Sequence, residues 1–411
     1  MLMQAYLLDW ISLLLRWLHL TAGIAWIGAS FYFIMLDNSL RPARHAADTQ
    51  RGVAGEIWAV HGGGFYCSQK FPTGPLDEPL SDQLHWSKWE AYTTWLSGLG
   101  LMLSVYWLHA ATYLVDPAVL ALAPSTAVII SIVVLGIGWL SYDGLCRLLS
   151  YWPRLLGGSL ILLILGNDWL LFHLFSARAA YINLGAMLGT IMTANVFFHI
   201  IPGQKKMIAQ IRAGQSVDRR WGLIGRQRSV HNTYFTLPVL FIMISNHYPM
   251  TYTNPRGWLV LAGIMLVGVW LRQFFVLRLR AERRWWLPIA SVALIIGLIM
   301  AIAPSAAPAT NQTVSYTEIH AILEQRCLPC HAAHPSQEGF AQAPKGILFD
   351  TPDQVQRYSA AIAQAVQSHY MPLGNLTHIS EHERSLIARW YQLGALSDPK
   401  PLKTPVQSTR P

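Results

Sequence analysis

The sequence predicts an all-α fold, in which a polytopic membrane helix bundle of about eight spans precedes a small helical domain. Hydrophobic residues make up 53% of the 411-residue chain and charged residues only 12%, and the mean hydropathy is +0.32. Apolar stretches of about 20 residues, the length that crosses a bilayer, recur through the first three quarters of the chain. This composition excludes a disordered chain and an ordinary soluble enzyme.

The predicted spans are the apolar stretches near this length. The first is too long for a signal peptide and lacks a basic leader and a small-residue cleavage site, so we expect it to remain as the first helix. Pairs of glycines inside several stretches indicate close packing between helices. The spans lie at about 7–36, 88–108, 123–146, 155–176, 180–201, 231–248, 257–277 and 286–304.

The basic residues of the connecting loops predict the orientation. All of the Lys and Arg residues that we assign to loops lie on one side, except Arg178 and Arg256. Basic loops are retained in the cytoplasm, so we expect both termini in the periplasm. The formal net charge of +9 is therefore an orientation signal, and no nucleic-acid partner is predicted.

The composition changes after the last apolar stretch. We expect a membrane domain at 1–304, a Pro- and Ala-rich linker at 305–313, a mostly helical soluble domain at 314–396 and a tail without a fold at 397–411. The last helix of the soluble domain, at about 380–394, opens with Ser380 and Glu383, which form a capping-box pattern.

The strongest motif lies early in the soluble domain. Cys327-Leu-Pro-Cys330-His331 is a C-x-x-C-H sequence, in which two thiols attach covalently to one haem and the histidine ligates its iron. A zinc site or a disulfide is the alternative for the two cysteines. The domain resembles a class I-like cytochrome c, with a short helix at about 316–326 before the motif.

Met371 is the predicted distal ligand of this iron. It precedes a proline some tens of residues after the motif, and a thioether ligand raises the reduction potential and favours electron transfer. The alternatives are a core role for Met371, or ligation by His369 or His378, which we interpret as surface residues.

Ionisable residues inside the spans are costly in lipid and are candidates for function. Two facing histidines could hold a non-covalent b-type haem in the bundle, and His19 and His173 are the candidates. Alternatively, such histidines contact headgroups or backbone carbonyls at the membrane interface. The candidates are Arg16, His19, Glu90, Asp143, Asp168, His173, His199 and Arg272.

Two cytoplasmic segments are rich in polar and aromatic residues. In the first, at 52–66, three consecutive glycines would let backbone amides approach an anion closely. The second, at 203–234, combines basic, amide, histidine and aromatic side chains. Together they suggest a pocket for a flat, hydrogen-bonding anion. The alternative is a basic inner surface that only determines the orientation.

Four stretches resemble the membrane domain of the bacterial membrane-bound, cytochrome c-type urate oxidase (urate hydroxylase) family. They are residues 17–28 (WLHLTAGIAWIG), 55–66 (GEIWAVHGGGFY), 85–90 (HWSKWE) and 225–238 (GRQRSVHNTYFTLP). The order of membrane domain, linker and C-terminal cytochrome is also similar. The resemblance implies an enzyme of the bacterial inner membrane that oxidises urate to 5-hydroxyisourate. Its electrons would pass through the cytochrome to a respiratory terminal oxidase or a soluble cytochrome c.

Urate oxidation needs a proton acceptor, donors for the carbonyl oxygens and an electron acceptor. We predict that Glu56 or His61 acts as the base. The remaining roles go to residues of the same membrane face: orientation by His231, Asn232 and Arg228, and stacking by Trp89 or Tyr66.

This site would face the cytoplasm, about 30 Å of hydrocarbon from a periplasmic haem, which is the reason to consider a b-type haem as a relay. Two other functions stay open. One is an electron-transfer module that accepts electrons from quinol or a partner dehydrogenase. The other is a transporter or metal-handling bundle fused to a redox sensor.

Overall fold

The structure is a computed structural model that describes residues 2–303, 314–337, 340 and 342–395. The predicted linker at 305–313 and the predicted tail at 397–411 lie outside the described residues. Most of the described chain is helical, as expected.

Residues 2–303 form a bundle of long helices with one β-hairpin. Two π-helical turns, Met102–Trp107 and Asn195–Ile200, follow α3 and α7 without a break. The elements are α1 (Leu2–Ser39), α2 (Ala46–Gln50), β1 (Gly55–His61), β2 (Gly64–Lys70), α3 (Trp89–Leu101), α4 (Ala110–Tyr113), α5 (Pro124–Leu148), α6 (Pro153–Phe172), α7 (Ala177–Ala194), α8 (Ile201–Arg212), α9 (Arg219–Ser245), α10 (Gly257–Leu279) and α11 (Trp286–Ala301).

Five helical segments of the described chain are long and apolar enough to cross a membrane. They are Tyr6–Ser39, Pro124–Leu148, Pro153–Phe172, Ala177–Arg212 and Gly257–Leu279. Of the other predicted spans, Trp286–Ala301 is apolar but shorter. The spans predicted at 88–108 and 231–248 correspond to the short α3 with its π-helical turn and to the second half of α9, whose first half is polar. The number of eight spans stays a prediction.

The all-α prediction is wrong for residues 55–70, which form an antiparallel hairpin. His61 pairs with Gly64, so the loop contains only Gly62 and Gly63, whose φ angles are +58° and +82°. Two-residue hairpin loops require this left-handed backbone, which glycine adopts without strain. The glycine run that we interpreted as an anion-binding loop therefore forms the turn of a hairpin.

The bundle core is centred on α7. Its residues Tyr181, Leu184 and Met187 are fully buried between α5, α6 and α9. Gly185 faces Ile242 so closely that a Cβ at this position would lie 2.6 Å from the isoleucine side chain. Small residues therefore allow the helices to approach closely here, as the sequence predicted.

The C-terminal domain has a hydrophobic core of its own. The predicted helix at 316–326 is confirmed, and both hydrogen bonds of the capping box between Ser380 and Glu383 are present. Tyr316 and Trp390 bring the first and last helices together, with ring centroids 6.2 Å apart. The helices are α12 (Tyr316–Arg326), α13 (Leu328–His331), α14 (Pro352–Arg357), α15 (Ser359–Gln367) and α16 (Glu381–Gln392).

This domain lies against one end of the bundle. The turn Leu373–Asn375 contacts α4, and a cavity of about 370 Å³ separates the domain from the loops after α6 and α9. Arg178, in the first turn of α7, and Arg256, directly before α10, lie at this end. They are the two basic residues that the sequence assigned to the side poor in Lys and Arg. The domain therefore lies at the end of the bundle that holds Arg178 and Arg256, and its periplasmic location stays a prediction.

Candidate functional site

The Cys-x-x-Cys-His motif lies where α12 ends and α13 begins. Nδ1 of His331 lies 2.9 Å from the carbonyl oxygen of Ile347. Because a carbonyl can only accept a hydrogen bond, Nδ1 carries the proton and Nε2 keeps a free lone pair. That is the form in which a histidine ligates haem iron.

Cys327 and Cys330 are not joined to each other in a disulfide. Burial raises the pKa of Cys327 to about 12 and also raises the pKa of Cys330. Zinc binds thiolates, and such shifts disfavour them. Within the described residues, no group of three or more His, Cys, Asp or Glu side chains could hold a metal ion. The covalent haem stays the predicted use of the motif, with zinc or a disulfide as the alternatives.

The loop that carries Met371 is held by a buried arginine of α16. Nη1 of Arg384 donates to the carbonyl oxygens of Val366, at 2.7 Å, and of Met371, at 2.9 Å. His369, one of the alternative ligands, lies 3.6 Å from the Glu381 carboxylate, and burial together with the charge of Arg384 lowers its pKa. The assignment of the distal ligand to Met371 stays a prediction.

Three of the predicted site residues meet inside the bundle. Arg228 lies three residues before His231 and four before Asn232 on α9, so all three share one face of the helix. Arg228 Nη2 donates a hydrogen bond to Asp143 Oδ1 at 2.7 Å, and His199 Nε2 lies 2.7 Å from the same oxygen. Arg228 is only 2% exposed. A buried charged group inside a membrane helix bundle is a candidate functional site.

A chain of polar contacts extends this cluster to α5 and to the second π-helical turn. Nδ1 of His231 lies 2.8 Å from the hydroxyl of Tyr142, which accepts a hydrogen bond from Asn195 Nδ2 at 3.0 Å. Asn195 Nδ2 also donates to Asn232 Oδ1 at 2.9 Å. We call these residues, with Arg228, Asp143 and His199, the α9 cluster. Its network fixes the orientation of the histidine and amide side chains.

The α9 cluster keeps hydrogen-bonding capacity for a ligand. Nε and Nη1 of Arg228 and Oδ1 of Asn195 are buried and have no partner among the described residues. An unpaired buried donor is costly, and on a guanidinium it is best satisfied by a carbonyl or anionic oxygen. These unpaired atoms are the reason to consider the α9 cluster as a candidate site for a small ligand that carries such oxygens.

The predicted bases lie on the hairpin, apart from the α9 cluster. Glu56 is buried near Cys67 and Gln69 of β2 and lies 3.9 Å from Arg44. His61 is exposed at the tip of the hairpin. Glu56 and His61 are five positions apart along the strand, roughly 16 Å, and this odd spacing places them on opposite faces. The two residues therefore cannot act together on one substrate atom, and the role of each as a base stays a prediction.

The predicted stacking residues are also outside the α9 cluster. Tyr66 pairs with Ala59 in the hairpin and is 55% exposed. Trp89 begins α3, is 66% exposed and packs edge-on against Tyr92. Their roles as aromatic partners of a purine stay predictions, and the structure does not place them together with Arg228.

The two histidines predicted to hold a b-type haem are in different surroundings. Nδ1 of His19 lies 2.8 Å from the carbonyl oxygen of Thr94, and His19 lines a cavity of about 420 Å³ between α1, α3, α7 and α9. His173 is exposed at the end of α6 and packs on Trp169, with 4.3 Å between ring centroids. Among the described residues, His19 and His247 line that cavity, and His173 does not.

Tyr142 and Asn195 are the site residues that the sequence analysis missed. Both are polar residues inside apolar segments, next to Asp143 and four residues before His199, which were recognised as candidates. The π-helical turn that carries Asn195 and His199 is also typical of functional sites. Their partners on α9 are distant in sequence, so only the packing of the helices reveals the cluster.

The fold and the α9 cluster together define a helical protein with several potential membrane spans and a buried polar site. Residues 5–303 match the model of the urate oxidase N-terminal family, and the chain therefore belongs to this family. No curated protein and no solved structure matches the chain. Family membership indicates an oxidoreductase that acts on urate.

Proposed function

We propose that the protein oxidises urate to 5-hydroxyisourate in a membrane and passes the electrons to a haem bound covalently by Cys327, Cys330 and His331. The observation that carries this proposal is the orientation of His331, whose Nε2 is free for iron, in a chain that belongs to the urate oxidase N-terminal family. When bound, such a haem accepts electrons one at a time. The remaining chemistry belongs to side chains of the bundle.

The α9 cluster is the proposed urate site. Urate carries carbonyl oxygens and a negative charge, and Arg228 has two unpaired buried donors for them. In the tautomer in which His231 donates from Nδ1 to Tyr142, its Nε2 has the lone pair of a general base. Asn232 Nδ2 donates a hydrogen bond to the Met192 carbonyl oxygen, which fixes this side chain. In the proposed site, Asn232 orients the urate ring.

The reaction balances with water as the oxygen donor. Urate and one water give 5-hydroxyisourate, two protons and two electrons. A proton acceptor is therefore needed beside the ring, and each electron needs a route to the covalent haem. We infer that a respiratory terminal oxidase or a soluble cytochrome c accepts the electrons afterwards.

The proposed location is the inner membrane of a bacterium, with the C-terminal domain and both termini in the periplasm. The support is the unequal distribution of Lys and Arg and the position of the C-terminal domain at the end of the bundle that is poor in them. A reporter enzyme fused after residue 411 tests the orientation. Activity of alkaline phosphatase, which requires export, is expected, and activity of a cytoplasmic reporter alone would contradict the orientation.

An electron-transfer module fed by quinol is the alternative function. The two functions predict different electron donors for the covalent haem of the purified full-length protein under anaerobic conditions. Urate alone should reduce the covalent haem if the proposal is right. Reduction by a quinol and not by urate would favour the alternative, and complete reduction by dithionite is the control for an intact haem.

A further inference from the structure

The cavity lined by His19, which we call the slot, lies between α1, α3, α7 and α9. Its volume is about 420 Å³, within the range of roughly 300–1,000 Å³ that is common for bound small molecules. On α7 its wall runs from Ile182 to Thr193, which at 1.5 Å per residue is about 16 Å. Most of the wall is apolar, as is typical of a site for a large, flat cofactor.

In His19, as in His331, Nδ1 of the ring lies next to a backbone carbonyl oxygen. Nδ1 of His19 lies 2.8 Å from the Thr94 carbonyl oxygen and 3.1 Å from Ser97 Oγ. Nδ1 therefore carries the proton, and the lone pair of Nε2 remains free for a metal. A Cβ at Gly98 would lie 3.0 Å from Cε1 of His19, so the glycine provides the space for the ring.

A second imidazole and two cations lie on the same wall. His247 follows the end of α9, and its neighbour Asn246 accepts a hydrogen bond from Arg178 Nε at 2.9 Å. Arg16 lies one helical turn before His19. An apolar slot with two histidines and two guanidinium groups matches a haem, which has a flat apolar ring and two carboxylates.

The position of the cavity is suited to a relay. At one end, Thr236 donates a hydrogen bond to the Asn232 carbonyl at 2.9 Å, which joins the wall to the α9 cluster. At the other end, Arg178 also lines the cavity below the C-terminal domain, together with Tyr370, which precedes Met371. The slot therefore lies between the proposed urate residues and the loop of the predicted distal ligand.

We propose that this cavity holds a second, non-covalent haem, whose iron His19 and His247 would ligate. His247 takes the place that the sequence analysis gave to His173. Such a haem would accept one electron at a time and would pass each electron to the covalent haem, which would return its own iron to the oxidised state. The relay role rests on the proposed function, whereas the presence of the haem does not.

Acid–acetone extraction of the purified full-length protein tests the proposal, because it removes non-covalent haem and leaves covalent haem on the chain. We expect one extractable haem for each covalent haem. His19→Ala should lose the extractable haem and keep the covalent one, and His109→Ala, at an exposed histidine of the same end of the bundle, should keep both. An extract without haem, or one that contains only quinone, would overturn the proposal.

Two further variants exclude a simple folding defect. His19→Gly with added imidazole should regain the extractable haem, since the free ligand replaces the missing ring. Loss of the extractable haem in His173→Ala but not in His247→Ala would restore the pairing expected from the sequence and overturn the role of His247. Retention of the extractable haem in His19→Ala would overturn the site.

The same preparations separate this proposal from the proposed function. An extractable haem that depends on His19, in a protein whose haems urate does not reduce, would support the haem site and contradict urate oxidation. Reduction of the covalent haem by urate in a protein without extractable haem would support urate oxidation and contradict the haem site.

Discussion

Arg228 and Asp143 form a hydrogen-bonded ion pair inside the bundle, with 2.7 Å between Nη2 and Oδ1. The second oxygen of Asp143 pairs with Arg147 at 2.7 Å, so the carboxylate is fully occupied while Nε and Nη1 of Arg228 stay unpaired. The ion pair therefore fixes the guanidinium and leaves two of its donors for a ligand.

Replacement of Arg228 tests its role in binding urate. Arg228→Gln removes the charge and the fork of donors, and we expect the rate of urate-dependent haem reduction to fall by about a hundredfold or more. Arg226→Gln is the matched control, because Arg226 lies on the same helix but is exposed. Equal rates in both variants, with the covalent haem intact, would contradict the assignment.

Replacement of Asp143 tests the ion pair itself. Asp143→Leu leaves Arg228 buried without its counter-ion, and we expect a loss of about 3–5 kcal/mol in the free energy of unfolding. The double variant Asp143→Leu, Arg228→Met should recover much of this stability, but not urate oxidation. Thermal unfolding of the protein in detergent measures the first effect. Recovery of urate oxidation in the double variant would show that the pair has no role in the reaction.

Replacement of Met371 tests the distal ligand of the covalent haem. Met371→His should lower the reduction potential, since a thioether ligand raises it, and the haem should stay attached through the cysteines. A potentiometric titration followed by haem absorbance measures the change. His378→Ala should leave the potential as it is. A shift in that variant, and none in Met371→His, would identify His378 as the ligand.

Acid is expected to destabilise the C-terminal domain through Glu383. Burial opposes ionisation of this carboxyl, but hydrogen bonds from Ser380 and Arg326 outweigh it and lower its pKa below the ordinary 4.5. A carboxyl with a lowered pKa stabilises the fold above the unfolded-state pKa, and the contribution is lost as the pH falls through the folded-state pKa. Unfolding of the full-length protein, followed by haem absorbance below pH 4.5, should depend less on pH in Glu383→Gln.

The matched control for this acid effect is Glu324→Gln, at an exposed position of α12. We expect it to unfold with the pH dependence of the wild type. The same reduced dependence in both variants would show that the Ser380 and Arg326 contacts of Glu383 are not its cause.

The hairpin variants test the predicted bases. If the α9 cluster supplies the base, Glu56→Gln and His61→Ala should both oxidise urate close to the wild-type rate, because the contacts of Glu56 are to Cys67, Gln69 and Arg44 and His61 is exposed. The measured quantity is the initial rate of urate-dependent haem reduction. A large loss in His61→Ala, with the haem content unchanged, would assign the base to the hairpin after all.

The parts of the fold that could be predicted are those with local causes. The capping box at Ser380 and Glu383 marks the start of α16, and the C-x-x-C-H motif marks the end of α12. The hairpin could also have been predicted, because a Gly-Gly pair between two strand-like stretches is a turn pattern. We interpreted those glycines as a ligand loop, and the pairing of His61 with Gly64 corrects this.

The parts that could not be predicted depend on the rotation of whole helices. Arg228, His231 and Asn232 share a face through helical spacing alone, but their partners Tyr142 and Asn195 lie on elements distant in sequence. The cavity lined by His19 also depends on how helices distant in sequence pack together. His247 faces it and His173 does not, although the sequence places both near the same end of the bundle.

Anaerobic titration of the oxidised full-length protein with urate tests the central claim most directly. Urate supplies two electrons, so one urate per chain should reduce the covalent haem and the proposed second haem together, with 5-hydroxyisourate as the product. A covalent haem that stays oxidised in excess urate, but is reduced fully by dithionite, would contradict the account.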